Sequence, residues 1–282
     1  MAVSVAILTD TAASLPAEMA AAHGIILVPL LLTIGDTTYD DGELTLQEVL
    51  TRLDEGVTTS GPTPGAFARA AEHALETHAE VLVLTIAGSM SSTCDAARAA
   101  VALVDGPIEA IDTGTAAGAQ GLVVLAAARM ATAQAPMSDV VAEAKRAMDA
   151  VRLVAAVGSL ERLVASGRVP GVAGWAADRL GVNPLFQFRT GSVQRLRPAF
   201  SREASLDRMI DRWRQSTEPG AALHVAAMHA DAEEEATQLL ERVRQEADPA
   251  TAFMAEFSAV MVTHTGPGLV GLAWWWDSPD QG

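Results

Sequence analysis

VLVLTIAGSMSSTCDAARAAVALV, residues Val81–Val104, decides the fold class. It opens on an apolar run, Val81–Ile86, with no polar alternation. Such a run reads as a strand buried on both faces, the habit of parallel sheets. A loop of small hydroxyl residues follows, and then an alanine-rich helix over Thr93–Val104. Upstream, Ser4–Leu8 is a short apolar strand stopping at Thr9-Asp10, and Leu15–His23 is a helix with Ser14 as its N-cap. Ile25–Thr33 is a second apolar run. Thr45–Glu55 and Pro64–His78 are helical, Pro64 suiting a first turn. Downstream come a strand at Ile108–Asp112 and helices at Gly118–Ala133 and Ser138–Val151. Buried strands separated by helices predict a parallel sheet flanked by helices.

The second half changes rhythm. Leu153–Gly158 reads as a strand, Leu160–Ala165 as one or two helical turns and Val172–Leu180 as helix. Leu185–Phe188 and Val193–Arg197, around Thr190-Gly191, read as a hairpin. Helices at Ser201–Ser216 and Ala232–Glu246 frame a strand at Leu223–His229. Ala252–Phe257, Val260–His264 and Leu269–Trp275 read as strands. The expectation is an α/β chain of two domains. Residues 1–150 form the parallel-sheet domain and residues 151–282 a mixed-sheet α/β domain.

Composition narrows the function. The 282 residues are 50% hydrophobic but only 4% aromatic, so the interior is built from Ala, Val and Leu. A net charge of -16 argues against nucleic acid and against adsorption to anionic membranes. Lys145 is the only lysine, which leaves Arg to bind anions bidentately. Cys94 stands alone, so there is neither an intrachain disulfide nor a cysteine zinc site, consistent with a reducing cytoplasm. The opening MAVSVAILTD does not read as a signal peptide. The longest apolar run, Gly121–Ala131, is broken by Arg129, so no integral membrane segment is expected.

Ligands of open parallel sheets gather at the carboxyl ends of the strands. There the chain places Thr9, Asp10 and Thr11; then Gly88, Ser89, Ser91, Ser92 and Thr93; then Asp112, Thr113 and Thr115. TTSGPTPG (Thr58–Gly65) adds a fourth hydroxyl-rich loop. Hydroxyls and free amides at helix starts make an anion site without lysine, and they also serve as ordinary N-caps. HTGPG (His264–Gly268) is a tight turn presenting His264 and Thr265 after an apolar run. Arg168 and Arg197 fit either an oxyanion clamp or a surface ion pair. His229 reads as structural, and His23, His73 and His78 sit near helix C-termini, where a partly positive side chain is favoured. GTAAGAQG (Gly114–Gly121) lacks the dinucleotide spacing, and neither a nucleophile elbow nor a metal-ligand run is present.

Taken in order, these segments resemble the DegV family. VAILTDTAASLP (Val5–Pro16) is similar to its first strand and Thr-Asp-Ser motif. PLLLTIGDTTYDDG (Pro29–Gly42) resembles its second strand and Tyr-x-Asp-Gly. TSGPTPGAF (Thr59–Phe67), SMSSTCDAA (Ser89–Ala97), DTGTAAGAQG (Asp112–Gly121) and LERLVASGRV (Leu160–Val169) follow the family's order, and HTGPGLVG (His264–Gly271) matches its closing turn. The resemblance implies a two-domain fold holding a long-chain fatty acid between the domains, with no cofactor and no activity of its own. It implies carboxylate contacts at Thr59, Ser60, Ser91 and His264, supported by Asp10, Thr11, Ser92, Thr93, Thr265 and Gly266. Arg168 and Arg197 are implied as phosphate or partner contacts. In one branch of the family a separate kinase subunit phosphorylates the bound acid to an acyl phosphate for phospholipid synthesis. Two alternatives stand beside this: a stand-alone acyl or phosphoryl transferase using Ser91 and His264, and a lipid sensor or carrier with no kinase partner. The chain departs from the family pattern at Gly61 (usually Gln), Ser92 (Gly), Cys94 (Tyr) and Asn183 (often Lys, before the Pro matching Pro184). Ser92 in place of Gly is expected to alter a strained backbone beside Ser91.

Overall fold

The computed structural model describes residues 4–158, 160–168, 183–189 and 191–278. The expected helix at Val172–Leu180 and Thr190 of the expected hairpin lie outside them. Strand β1 (Val5–Asp10) leads through a single 3-10 turn to helix α1 (Ala17–Ala22). Next come β2 (Ile25–Val28), β3 (Leu31–Ile34), β4 (Thr37–Asp40), α2 (Leu46–Arg52) and β5 (Thr58–Ser60). Then follow α3 (Pro64–Leu75), β6 (Glu80–Thr85), α4 (Thr93–Val101), β7 (Ile108–Asp112), α5 (Ala117–Thr132) and α6 (Met137–Ala150).

Strands β2-β1-β6-β7 form the expected all-parallel sheet. Its two faces alternate along each strand, as the two-residue period demands. Ala6 and Leu8 of β1 and Val81 and Val83 of β6 pack with Phe67, Ala71 and Ala97 of α3 and α4. Val5, Ile7, Leu82 and Leu84 face α5.

The run Ile25–Thr33 is two strands rather than one. Pro29 cannot donate to a ladder, and the chain leaves the parallel sheet there. It re-enters as β3 in a separate antiparallel sheet, β4-β3-β5. The supposed loop at Thr58–Gly65 thus begins as edge strand β5. Ser14 does not cap α1. It closes the preceding 3-10 turn in the left-handed region (φ 48°), and Pro16 holds the N-cap position.

The second half runs β8 (Arg152–Ala156), α7 (Leu160–Ser166), β9 (Leu185–Arg189), β10 (Ser192–Arg195), α8 (Arg202–Arg214), β11 (Ala222–Ala230), α9 (Glu233–Glu246), β12 (Thr251–Glu256), α10 (Ala259–Thr265) and β13 (Leu269–Asp277). Its six-stranded mixed sheet has the order β10-β9-β8-β13-β11-β12. One face, with Val154, Val225, Val270 and Trp274, packs on α8 and α9 through Leu206, Met209, Leu239 and Val243. The other, with Leu153, Ala226, Met228 and Ala273, shares a continuous core with α5 and the parallel sheet.

Helix α5 therefore lies between the two sheets, which explains why its apolar residues run all round it. Close approach sets its composition too. A Cβ at Gly118 would stand 2.5 Å from Met228 Sδ, and one at Gly121 2.7 Å from the Ala13 carbonyl oxygen.

One expected strand is a helix. Val260–His264 belongs to α10, whose N-cap Ser258 accepts from Met261 N–H. Ala259, Val260, Met261 and Val262 are all buried. A short apolar run buried on every side carries no period by which strand and helix can be told apart. His264 consequently sits in the last turn of a helix, not after a strand. Gly266 then ends the helix in the left-handed region (φ 71°), its N–H donating to the Val262 carbonyl.

Candidate functional site

At the carboxyl ends of the parallel strands, five segments converge on one niche. Leu30 leaves β2, Thr59 and Ser60 end β5, Ile86, Met90 and Ser91 follow β6, and α7 and α10 close over them. The niche encloses about 50 Å³ and is lined by these residues with Gly61, Leu163, Arg168, Val260, Met261, His264 and Thr265. It thus gathers Thr59, Ser60, Ser91, His264, Arg168 and Thr265 from four distant parts of the sequence.

The centre of the niche is a contact between its two halves: Thr59 Oγ1 lies 2.7 Å from His264 Nε2. Burial, reinforced by the nearby Arg168 charge, pushes the His264 imidazolium down to a pKa of about 4. At neutral pH the ring is neutral, and its tautomer follows the bond it shares with Thr59. Ser91 Oγ lies 2.7 Å from Thr93 Oγ1 and also accepts from Thr93 N–H at 3.3 Å. Ser91 thus helps to cap α4 while its hydroxyl borders the niche.

Gly167 (φ 62°) ends α7 and turns Arg168 back over the niche. The Arg168 guanidinium is held there by a bond from Nη1 to the Met90 carbonyl at 3.2 Å. The niche therefore offers hydroxyls, an imidazole and a fixed guanidinium at one end, and Leu30, Ile86, Leu163, Val260 and Met261 around it. Such a set suits an anion carrying an apolar substituent.

The remaining expected residues sit elsewhere. Asp10 is fully buried and accepts from Ala12 N–H, Ile86 N–H and the Gln120 amide at 3.1, 2.8 and 3.2 Å. It knits β1 to the exit of β6, and burial raises its pKa to about 6. Thr11 donates to Asp41 at 2.7 Å. It lines a different, larger cleft of about 470 Å³ beside the start of α10, with Leu15, Leu27, Asp41, Phe257 and Ser258. The cleft is the roomier, but Ser91, His264 and Arg168 converge on the niche.

Thr93 is buried behind Ser91, and Ser92 is exposed with φ −74° and ψ 9°, a conformation open to any residue. The expected strain at Ser92 is absent. Gly266 caps α10. Asp112 and Thr113 are consumed by the scaffold: Asp112 accepts from Gly88 and Gly114 N–H, and Thr113 donates to the Thr85 carbonyl. Arg197 is exposed beyond β10 and does not line the niche.

Two features escaped the sequence reading. The apolar lining of the niche is indistinguishable in sequence from core. Gly61 packs so closely on Thr93 that a Cβ there would stand 2.5 Å from Thr93 Oγ1. The Gly61 departure is thus matched to the residue that positions Ser91. No group of three or more His, Cys, Asp or Glu side chains among the described residues is arranged to hold a metal ion. No helix among them is long and apolar enough to cross a membrane.

Comparison with known proteins follows the same outline. Residues 4–276 match the profile of a family described as "Uncharacterised protein, DegV family". A DegV domain-containing protein of Streptomyces coelicolor is 32% identical over 95% of this chain and 97% of its own length. A Thermus thermophilus DegV-family protein, described by its fatty-acid binding, superposes with a TM-score of 0.91 at 27% identity, covering 97% of this chain and 99% of its own. DegV of Bacillus subtilis, described as a fatty-acid-binding protein, superposes with a TM-score of 0.87 at 25% identity, covering 98% and 100%.

Proposed function

The chain belongs to the DegV family, and on that premise we propose that it binds one long-chain fatty acid, carboxylate in the niche, between domains comprising residues 1–150 and 151–282. The observation that carries this reading is the meeting of Thr59 and His264 at 2.7 Å beside Ser91. A buried carboxylate needs donors, and these three side chains, with Ser60 nearby, supply them. Arg168 adds positive charge to the same niche. About 50 Å³ houses a head group, while pockets for larger ligands run to roughly 300–1,000 Å³. The acyl chain therefore continues along the apolar lining and parts it. Each methylene taken from water contributes about 0.8 kcal/mol.

The protein acts as a cytoplasmic carrier without catalysis of its own. It presents the carboxylate to a separate kinase subunit, which forms the acyl phosphate used in phospholipid synthesis. Two separate side-chain pairs favour this over a stand-alone transferase. Ser91 is engaged with Thr93, and His264 with Thr59. A transferase using Ser91 as nucleophile and His264 as its base would pair these two with each other.

Denaturing extraction and mass spectrometry of natively purified protein test the reading. The expected result is stoichiometric fatty acid, and a melting temperature that rises when oleate is added to delipidated protein. An empty extract together with no melting shift for any chain length overturns it.

A further inference from the structure

Helix α10 carries His264, yet it has only seven residues. A helix so short has little stability of its own, so its place is set by what holds it. Besides the packing of its buried face on α2, two polar ties reach it from the first half of the chain. At its end stands the Thr59–His264 contact. At its start stands Asp41, whose Oδ1 accepts from Val260 N–H at 3.4 Å and whose carboxylate lines the same cleft as the Ser258 side chain.

The other carboxylate oxygen of Asp41 accepts from the Thr11 hydroxyl at 2.7 Å, and Thr11 Oγ1 in turn accepts from Leu30 N–H at 3.1 Å. Asp41 N–H donates to the Leu30 carbonyl at 2.8 Å. Asp41 is thus anchored to β1's exit and to a residue of the niche wall while it grips the first turn of α10. Val260 and His264 are four residues apart and lie on one face of that helix. Asp41 does not line the niche.

We propose that Asp41 is the positioning residue of the head-group site: by clasping the Val260 N–H it holds α10 where His264 meets Thr59. Without the clasp, the first turn keeps its Ser258 cap but loses its tie to the first half, and the whole short helix shifts on its seat. His264 then drifts from Thr59, and the bound carboxylate loses a partner that Asp41 never touches.

The inference rests on the fatty-acid reading for its affinity readout but not for its spectroscopic one. Oleate binding to the full, delipidated chain is measured by calorimetry for wild type, Asp41→Asn, Asp41→Ala and Thr11→Val. The His264 ring signal, assigned with His264→Gln, is followed by NMR without ligand. Ser201→Ala, which removes the side-chain cap of α8, controls for simple destabilisation.

Asp41→Ala is expected to weaken oleate binding by about tenfold, a coupling of the size seen within one hydrogen-bond network. The His264 pKa should rise from about 4 toward its ordinary range. Asp41→Asn and Thr11→Val should fall between Asp41→Ala and wild type, and Ser201→Ala should match wild type in both readouts. If Asp41→Ala fails to fold, the same ordered shift in Asp41→Asn and Thr11→Val supports the inference. If wild type binds no oleate but the His264 signal moves in the Asp41 variants, the lipid reading fails and the positioning role stands. An unmoved His264 signal in every folded Asp41 and Thr11 variant overturns it.

Discussion

Thr59 and His264 are 205 positions apart in the chain, yet their side chains meet at 2.7 Å and close the niche from opposite halves of the molecule. Each leaves a half-buried polar partner behind when removed. Thr59→Ala, Ser91→Ala and His264→Ala should each weaken fatty-acid binding by roughly 1–3 kcal/mol, the range for unpairing a buried polar group. A fatty alcohol of the same length should bind wild type more weakly than the acid. Titration calorimetry on delipidated protein reads all four, and three variants binding like wild type would place the carboxylate elsewhere.

Gly61→Ala is a sharper probe of Ser91 because it touches no expected contact. The added methyl would stand 2.5 Å from Thr93 Oγ1, the partner of Ser91 Oγ. Thr93 must rotate or the β5 exit must shift, and either moves the Ser91 hydroxyl. Affinity should fall, and Thr93→Val should relieve little of the loss because the Thr93–Ser91 bond is then gone as well. Equal affinity in Gly61→Ala and wild type would show that Ser91 placement is independent of Thr93.

Stability should depend on pH through a histidine remote from the niche. His224 is 4% exposed, takes a bond at Nδ1 from Arg129 at 3.1 Å, and stacks on Trp275. Burial lowers its pKa to about 4. The unfolded chain protonates this ring first, near pH 6.5, so stability falls as pH drops from 6.5 toward 4. The loss between pH 6.5 and 5 should be on the order of 1–2 kcal/mol from His224 alone. Asp10 acts in the opposite sense. Its folded pKa of about 6 exceeds the ordinary 3.8, so its contribution falls as pH rises through that window. Urea unfolding of wild type and His224→Gln at pH 5 and 7 separates the two, and an unchanged acid slope in the variant would remove His224 from the account.

Much of the fold and part of the site are legible in the sequence. Strands β1 and β6 carry unbroken apolar runs, and the hydroxyl loops mark their carboxyl ends, which located one wall of the site. The other wall is not legible, because the short run from Val260 carries no period that separates helix from strand, and its helical state shows in the caps at Ser258 and Gly266. The contact of Thr59 with His264 has no local signature at all, since it arises from packing the two halves around α5. Asp41 was visible only as part of a Tyr-Asp-Asp-Gly segment, and its partners Thr11 and Val260 lie far from it in sequence. Leu30, Leu163 and Met261 read as ordinary core, as apolar site walls do.

If the proposed handover to a kinase subunit holds, the two arginines should separate binding from product handling. Arg168 lines the niche but is held by the Met90 carbonyl, and Arg197 is exposed. A guanidinium fork complements phosphate better than an ammonium does. Arg168→Ala should therefore impair acyl-phosphate formation with a cognate kinase subunit more than it weakens fatty-acid binding. Arg197→Ala should reduce turnover with binding intact. Binding isotherms and a coupled kinase assay on the same variants decide this. Unchanged turnover in both would return the arginines to ordinary surface roles.

The central claim is that a carboxylate sits among Thr59, Ser91 and His264, and the most direct measurement is the NMR signal of oleate labelled with carbon-13 at its carboxyl group. Bound to wild type, it should give one resonance distinct from free oleate, and that resonance should shift in His264→Ala and in Ser91→Ala. A bound resonance identical in wild type and both variants would contradict the account.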